Sequence, residues 1–257
     1  TSRRPGALIA MSGGVDSSVA AWLMQRDGFD CTGITMRLTR NEAVDTEGLH
    51  TCCSERDIED AAEVAYAMDI PYEVLDFTAD FQEKIIDKFI RVYEAGGTPN
   101  PCIDCNRCLK FGAFLDRALE MGFDYIATGH YARVGYDEAS GRYRLLRGES
   151  RAKDQSYVLY QLTQEQLSHL LLPVGSFEKP EIREQAEEAG LANAHQADSQ
   201  DICFIPDGDY VRFLRDYGGV TPQPGDFVDE TGRVLGRHRG LECYTAGQRK
   251  GLGVSAD

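Results

Sequence analysis

Between Ala7 and Ser18 the chain reads Ala-Leu-Ile-Ala-Met-Ser-Gly-Gly-Val-Asp-Ser-Ser, a short apolar run, then a glycine turn, then a helical pattern from about Val19. The run has the length of a buried strand. Gly13 and Gly14 let the backbone turn sharply and approach a ligand with no Cβ in the way. Strand, glycine turn and helix in that order restrict the chain to an α/β sheet whose site lies at the carboxyl ends of its strands. Ser12, Ser17 and Ser18 supply hydroxyl donors, and the first N–H groups of the following helix face an anion with the positive end of the helix dipole behind them. The loop lacks the Gly-Lys-Ser/Thr ending of a Walker A sequence, so transfer of a γ-phosphoryl group is not its natural chemistry. A serine-rich βα turn without a ligand is the plainer alternative, and the placement of two glycines, three serines and Asp16 argues against it.

The pattern continues as expected for a doubly wound parallel sheet. Residues 7–11, 31–38, 71–77 and 124–128 read as strands. Ser18–Asp27, Cys53–Met68, Asp80–Ala95 and Arg107–Met121 carry apolar residues at spacings of three and four and read as helices. Met36 and the turn Thr128-Gly129-His130-Tyr131 then fall beside the glycine loop. Thr39–His50 is polar and aperiodic and reads as a mobile loop. From about Arg142 the texture changes, and no further βαβ unit is expected. Tyr143–Gly148 reads as a strand, Gln164–Leu171 and Pro180–Ala189 as helices, and Ser156–Leu162 and Tyr210–Tyr217 as helical patterns bearing tyrosine. A catalytic unit over 1–208 and a small module over 209–257 follow.

Composition narrows the class. Of 257 residues 42% are hydrophobic and 27% charged, and no apolar run approaches the roughly 20 residues of a membrane helix, so the expectation is a cytoplasmic protein with no membrane partner. The formal net charge of −15 argues against nucleic acid as a partner, but its distribution argues the other way. Arg142, Arg144, Arg147, Arg151 and Lys153 form one basic cluster and Arg233, Arg237, Arg239, Arg249 and Lys250 another. Solvated loops of ordinary surface charge are the plainer reading of either cluster alone.

Eight cysteines are too sparse for a disulfide scaffold, and their grouping points to sulfur or metal chemistry. Pro99-Asn-Pro-Cys102-Ile-Asp-Cys105-Asn-Arg-Cys108 opens a helix that continues through Lys110 and Phe111, where a helix N-terminus favours a thiolate. A lone CxxC fits zinc, an iron–sulfur cluster, a redox pair or sulfur relay. Cys203 follows a polar run, and Cys52 and Cys53 read as structural thiols.

The SGGVDS loop resembles the PP-loop of the ATP pyrophosphatases (adenine nucleotide alpha hydrolase-like enzymes), which hold the leaving pyrophosphate while a substrate is adenylated. With it, TPNPCxxCN at the CxxC, ATGHYAR at 127–133, KDQSYVLYQL at 153–162, LPVG at 172–175, SQDICFI at 199–205 and TAGQRKGLG at 245–253 occur in the order seen in MnmA-type tRNA 2-thiouridylases. These segments cover almost the whole chain. The resemblance implies an ATP-dependent sulfurtransferase that adenylates C2 of a wobble uridine and replaces its oxygen with sulfur, giving 2-thiouridine, AMP and pyrophosphate. It implies Cys105 as nucleophile and Cys203 as persulfide carrier, ending as a disulfide that a reductant resets. It places Ala10, Met11, Ser12, Gly13, Gly14, Val15, Asp16 and Ser17 around the ATP phosphates, and Met36 and Gly129 at the adenine. Asn100, Pro101 and Cys102 fall beside the flipped target base, and His130, Lys153, Asp154 and Gln155 against the tRNA. Asp16 could orient Mg²⁺ or the pyrophosphate, or cap the helix.

One departure opens a second sulfur route. Cys102 stands where many members of that family have Asp. Cys102, Cys105 and Cys203 could hold a [4Fe–4S] cluster with one iron open to sulfide, and the persulfide and cluster routes stay open at this point. The implied partners are tRNA, through its wobble-uridine anticodon loop, and a sulfur donor such as a cysteine desulfurase or relay protein. The basic Gln248-Arg249-Lys250 turn would meet the tRNA backbone. Members of that family continue into a further β-barrel that this chain, stopping at Asp257, is expected to lack, with weakened tRNA binding and intact ATP binding. Two other classes compete. A PP-loop enzyme acting on a small-molecule acceptor leaves the cysteines idle, and a non-catalytic cysteine-bearing RNA- or metal-binding module leaves the loop idle.

Overall fold

The computed structural model describes residues 3–39, 54–196 and 202–254. The loop reading beyond Thr39, Cys52, Cys53 and the Ser199–Asp201 part of the SQDICFI segment lie outside the described residues. Four strands stand where the apolar runs predict them: β1 (Gly6–Ala10), β2 (Asp30–Arg37), β3 (Tyr72–Asp76) and β4 (Tyr125–Ala127). All pair in parallel, in the order β3-β2-β1-β4. Side chains of β1 alternate between two cores, as the twofold strand period requires. Leu8 faces one and Ala7 and Ile9 the other.

The first of these cores is closed by a long helical run on each of two segments. One consists of α3 (Thr78–Phe81), a π-helical turn over Gln82–Ile86 and α4 (Asp87–Glu94). The other consists of α5 (Pro101–Asp104), a π-helical stretch over Cys105–Ala113 and α6 (Phe114–Glu120). Phe81, Phe89, Phe111 and Phe114 from these segments are buried under the sheet. The second core takes α1 (Val15–Arg26), α2 (Glu55–Ala67) and α8 (Lys179–Glu188). Helix α2 starts on a reciprocal capping box, in which Ser54 Oγ accepts from Asp57 N at 3.2 Å and Asp57 Oδ2 accepts from Ser54 N at 2.9 Å.

Three expectations need correction. The segment after Arg142 does return to the sheet, because Leu170–Leu171 forms β7, a fifth parallel strand beside β4. The expected helix over Gln164–Leu171 therefore ends early as α7 (Gln164–Ser168). Ile126 N bonds His169 O and Thr128 N bonds Leu171 O, so sheet pairing claims residues whose spacing alone suits a helix. Around Ser156–Leu162 there is one 3₁₀ turn, Ser156–Val158, in place of a longer helix. The strand expected at Tyr143–Gly148 is β6 (Arg142–Arg147), paired antiparallel with β5 (Ala132–Asp137), which the sequence pattern did not announce.

Beyond residue 208, α9 (Tyr210–Asp216) stacks Tyr210 on Tyr93 of α4, with ring centroids 4.7 Å apart. A hairpin of β8 (Gly225–Val228) and β9 (Val234–His238) follows, with a register shift at Phe227/Val228. No helix among the described residues is long and apolar enough to cross a membrane.

Candidate functional site

A cavity of about 400 Å³ opens at the carboxyl ends of β1, β2 and β4. Ala10, Met11, Ser12, Gly14, Val15, Asp16 and Ser17 line it, as do Met36, Gly129, His130, Lys153 and Gln155. Residues far apart in sequence thus converge as the topology requires. Thr35, Leu38, Asp57, Lys110, Thr128, Tyr131 and Gln196 complete the wall.

The glycine loop is fixed from three sides. Internally, Ser12 N donates to Ser17 Oγ at 3.1 Å, and the Ser17 and Ser18 hydroxyls donate to Gly14 O at 2.9 and 3.1 Å. From behind, the α2 backbone presses so close that a Cβ on Gly13 would lie 2.5 Å from Asp57 O, and Gly13 has a φ of +79°. Glycine is required there on both counts. From the second core, Asn193 Nδ2 donates to Gly13 O at 2.6 Å and to Ser18 Oγ at 2.8 Å. These contacts leave the first N–H groups of α1 facing the cavity, where they can take a phosphate.

Gly129 explains how the β4 turn joins the site. A Cβ there would lie 2.7 Å from Asp16 C and Ser17 N, so only glycine lets the turn lie against the first turn of α1. Next to it, Tyr131 Oη and Lys179 Nζ both donate to Asp16 Oδ1 at 2.7 Å. Lys179, largely buried at the start of α8, also lies 5.8 Å from the Tyr131 ring centroid. Asp16 therefore has a buried cationic partner, beyond its place in the first turn of α1.

His130 is buried rather than presented on an outer face. Its Nδ1 is hydrogen-bonded to Thr128 Oγ1 at 2.8 Å, and its ring packs 5.7 Å from Phe111. Burial, with the Lys110 charge as second cause, pushes the imidazole well below its ordinary 6.5, which leaves it neutral at pH 7. Gln155 is tied to Tyr131 both ways, N to O at 2.8 Å and Oε1 from N at 2.9 Å. Asp154 is occupied in holding its own turn. Burial would raise its carboxyl, but donors from Gly148 and Ser156 and the Arg147 charge outweigh burial and hold it below the ordinary range.

The cysteine segment is organised by its cap. Asn100 Oδ1 accepts from Cys102 N at 3.1 Å, and Pro101 occupies the first helical turn, where its missing N–H costs nothing. Cys102 is exposed, Cys105 is buried and Cys203 half-buried. Cys105 and Cys203 join the same hydrophobic cluster, where the neighbouring Phe204 meets Phe81 and Phe89 edge to face at 5.7 and 5.3 Å. Five positions after Cys105, Lys110 of the same π-helical stretch reaches the nucleotide-sized cavity. Among the described residues no three His, Cys, Asp or Glu side chains gather closely enough to hold a metal.

Sequence reasoning missed Thr35, Asp57, Lys110, Lys179, Asn193 and Gln196. Lys110 follows the CxxC on one helix, a signal that was present; the others reach the site only through tertiary packing.

Residues 6–207 match the tRNA methyl transferase HUP domain family, and residues 211–257 its PRC-barrel domain family. The chain is 51% identical over 248 residues to the tRNA-specific 2-thiouridylase MnmA of Moorella thermoacetica, covering 96% of this chain and 70% of that protein. It is 53% identical over 250 residues to the Heliobacterium modesticaldum protein of the same name, covering 96% of this chain and 64% of that one. Against the Carboxydothermus hydrogenoformans protein of that name it is 50% identical over 254 residues, covering 98% and 69%. Half its positions are thus shared with these proteins along nearly its whole length, and the chain belongs to the tRNA-specific 2-thiouridylase MnmA family.

Proposed function

We propose that this protein is an ATP-dependent tRNA-uridine 2-sulfurtransferase, with residues 1–208 as its catalytic unit and 209–257 as a tRNA-binding module. The observation that carries the reading is that the helical stretch bearing Cys105 also lines the phosphate-loop cavity through Lys110. One cavity wall thereby joins the two halves of the chemistry. The matched domain families are described by methyl transfer and the relatives by thiolation; a phosphate loop beside a pair of core cysteines favours sulfur.

The N–H groups of α1, with Ser12 and Ser17, hold the phosphates of ATP, and Met36 and Gly129 hold its adenine. The O2 atom of the target uridine attacks the α-phosphorus, and pyrophosphate leaves into the loop that binds it. C2 now carries AMP, a far better leaving group than oxide. A persulfide on Cys203 attacks C2 through its outer sulfur and expels AMP. The Cys105 thiolate then attacks the inner sulfur, which forms the Cys105–Cys203 disulfide and frees the 2-thiouridine. A dithiol reductant returns both cysteines to thiols, and a cysteine desulfurase or relay protein reloads Cys203. Neutral His130 and Lys110 face the base and the departing charge. The remaining oxygen of Asp16 fits a Mg²⁺ that arrives with the nucleotide, since that ion takes one or two carboxylates plus substrate phosphates; the ion would supply charge neutralisation on the pyrophosphate. Asn100, Pro101 and Cys102 would border the flipped base, with Lys153 at the cavity mouth. A single-stranded anticodon loop gives up such a base at the cost of stacking alone. The cytoplasm, where tRNA is found, is the proposed location.

The test is incubation with ATP, a persulfide donor and unmodified tRNA, followed by nucleoside mass spectrometry. Sulfur-for-oxygen exchange at one uridine is expected. Methylated nucleoside, or pyrophosphate release with a small amine acceptor and none with tRNA, would overturn the reading.

A further inference from the structure

The ribbon of β5 and β6 stands apart from the parallel sheet, and its charge runs against that of the chain. Residues 132–153 hold six Lys or Arg (Arg133, Arg142, Arg144, Arg147, Arg151, Lys153) against three Asp or Glu, a local net charge of +3 in a protein of −15. The alternation along the strands sorts these residues by face. Val134, Tyr143 and Leu145 pack against the first core, and Arg142, Arg144 and Leu146 are exposed on the other face. Arg144 lies across from Gly135 and Arg142 across from Asp137, so no side chain of the partner strand stands directly opposite Arg144. Arg144 is turned to Asp137 and Arg133 to Glu149, whereas the Arg147 side chain is 80% exposed and meets Asp154 at 4.0 Å.

The ribbon is rooted at the cavity mouth. β5 starts directly after Gly129, His130 and Tyr131, and the chain leaving β6 comes back through Lys153 and Gln155, which is pinned to Tyr131. Six antiparallel pairs give the ribbon a length of about 20 Å. That is enough to run alongside the nucleotides flanking a base held in the cavity. Arg142 lies on the face turned away from the core, and Arg147, opposite buried Ala132 and so on the face of Val134 and Leu145, is exposed at the strand end beside the cavity mouth. Two such cations fixed at the site of an acidic protein have the chemistry of a phosphate-backbone contact.

We infer that the β5–β6 ribbon is an RNA-docking surface whose exposed arginines, Arg142 and Arg147 foremost, take backbone phosphates of the tRNA beside the target base. This rests on the tRNA reading above and adds to it a surface and a mode of contact. The role is positioning rather than base recognition, so it is sensitive to salt and indifferent to sequence.

The test is tRNA binding by fluorescence anisotropy over a series of salt concentrations, for the wild-type chain and for Arg142→Gln, Arg147→Gln, Arg142→Lys and Arg117→Gln. Arg117, in the last turn of α6 at the opposite end of the sheet, is the control. Removing one phosphate-binding cation lowers the slope of log K against log salt by about 0.7–0.9. That reduction is expected for each of the two ribbon glutamine variants, with Arg142→Lys and Arg117→Gln keeping the wild-type slope. Wild-type binding with unchanged slopes in both ribbon variants, or an equal fall in Arg117→Gln, overturns the proposal alone. A changed molecular mass by light scattering with unchanged slopes assigns the ribbon to contact between copies and also overturns it. No salt-dependent tRNA binding by the wild-type chain overturns the functional reading itself, and the proposal with it.

Discussion

Asn193 and Gly13 are 180 positions apart, yet Asn193 Nδ2 donates to Gly13 O at 2.6 Å and, with its second hydrogen, to Ser18 Oγ at 2.8 Å. A buried amide thus holds the outer edge of the phosphate loop. Asn193→Ala leaves a buried carbonyl and hydroxyl short of their donor, which costs about 1–3 kcal/mol. Urea unfolding should register that destabilisation, and the ATP KM should rise more than kcat falls, because the loop that binds phosphate loses one of its three supports.

Gly129→Ala tests the closeness of the β4 turn to α1. The new Cβ would meet backbone atoms of Asp16 and Ser17 at 2.7 Å, and backbone cannot swing aside as a side chain can. Isothermal titration should show ATP affinity reduced at least about tenfold, equivalent to about 1.4 kcal/mol. Salt-dependent tRNA binding should change little, because the phosphate contacts proposed for the ribbon lie outside the cavity.

His130 gives the protein a pH dependence of defined sign. Its folded value lies well below 6.5 through burial and the Lys110 charge, so below about 6.5 the unfolded chain binds a proton that the folded chain refuses. Stability from this site is complete above that pH and falls as the solution is acidified. Urea midpoints measured between pH 7.5 and roughly pH 5.5 should show the decline in wild type and a smaller one in His130→Gln. Equal slopes in the two would remove His130 as its source.

The cysteines separate the two half-reactions. Cys105→Ser and Cys203→Ser should both retain tRNA-stimulated pyrophosphate release and reduce 2-thiouridine formation by at least two orders of magnitude, since a serine hydroxyl neither carries sulfane sulfur nor attacks it. Cys102→Ala should keep thiolation if the persulfide route operates, and iron and sulfide assays on anaerobically purified protein check the cluster alternative directly.

The parallel strands were legible because strands buried on both faces read as plain apolar runs, as at Ala7–Ile9. β7 was not, because two leucines within a longer apolar run carry no period and only their pairing with Ile126 and Ala127 makes them a strand. β5 was hidden by Gly135 and by the mixed polarity around it. The phosphate loop could be read because its residues are contiguous and each has a local reason to be there. Asn193 and Lys179 could not be, because their roles are set by partners 180 and 163 positions away.

The central claim is that one cavity activates a tRNA uridine with ATP and the adjoining cysteines then sulfurate it. Its most direct test is a single-turnover reaction of persulfide-loaded protein with labelled ATP and unmodified tRNA, following AMP, pyrophosphate and 2-thiouridine together. The account predicts that pyrophosphate appears only with tRNA and that AMP and 2-thiouridine form in equal amounts after it. Pyrophosphate released at the same rate without tRNA, or 2-thiouridine formed without ATP, would contradict it.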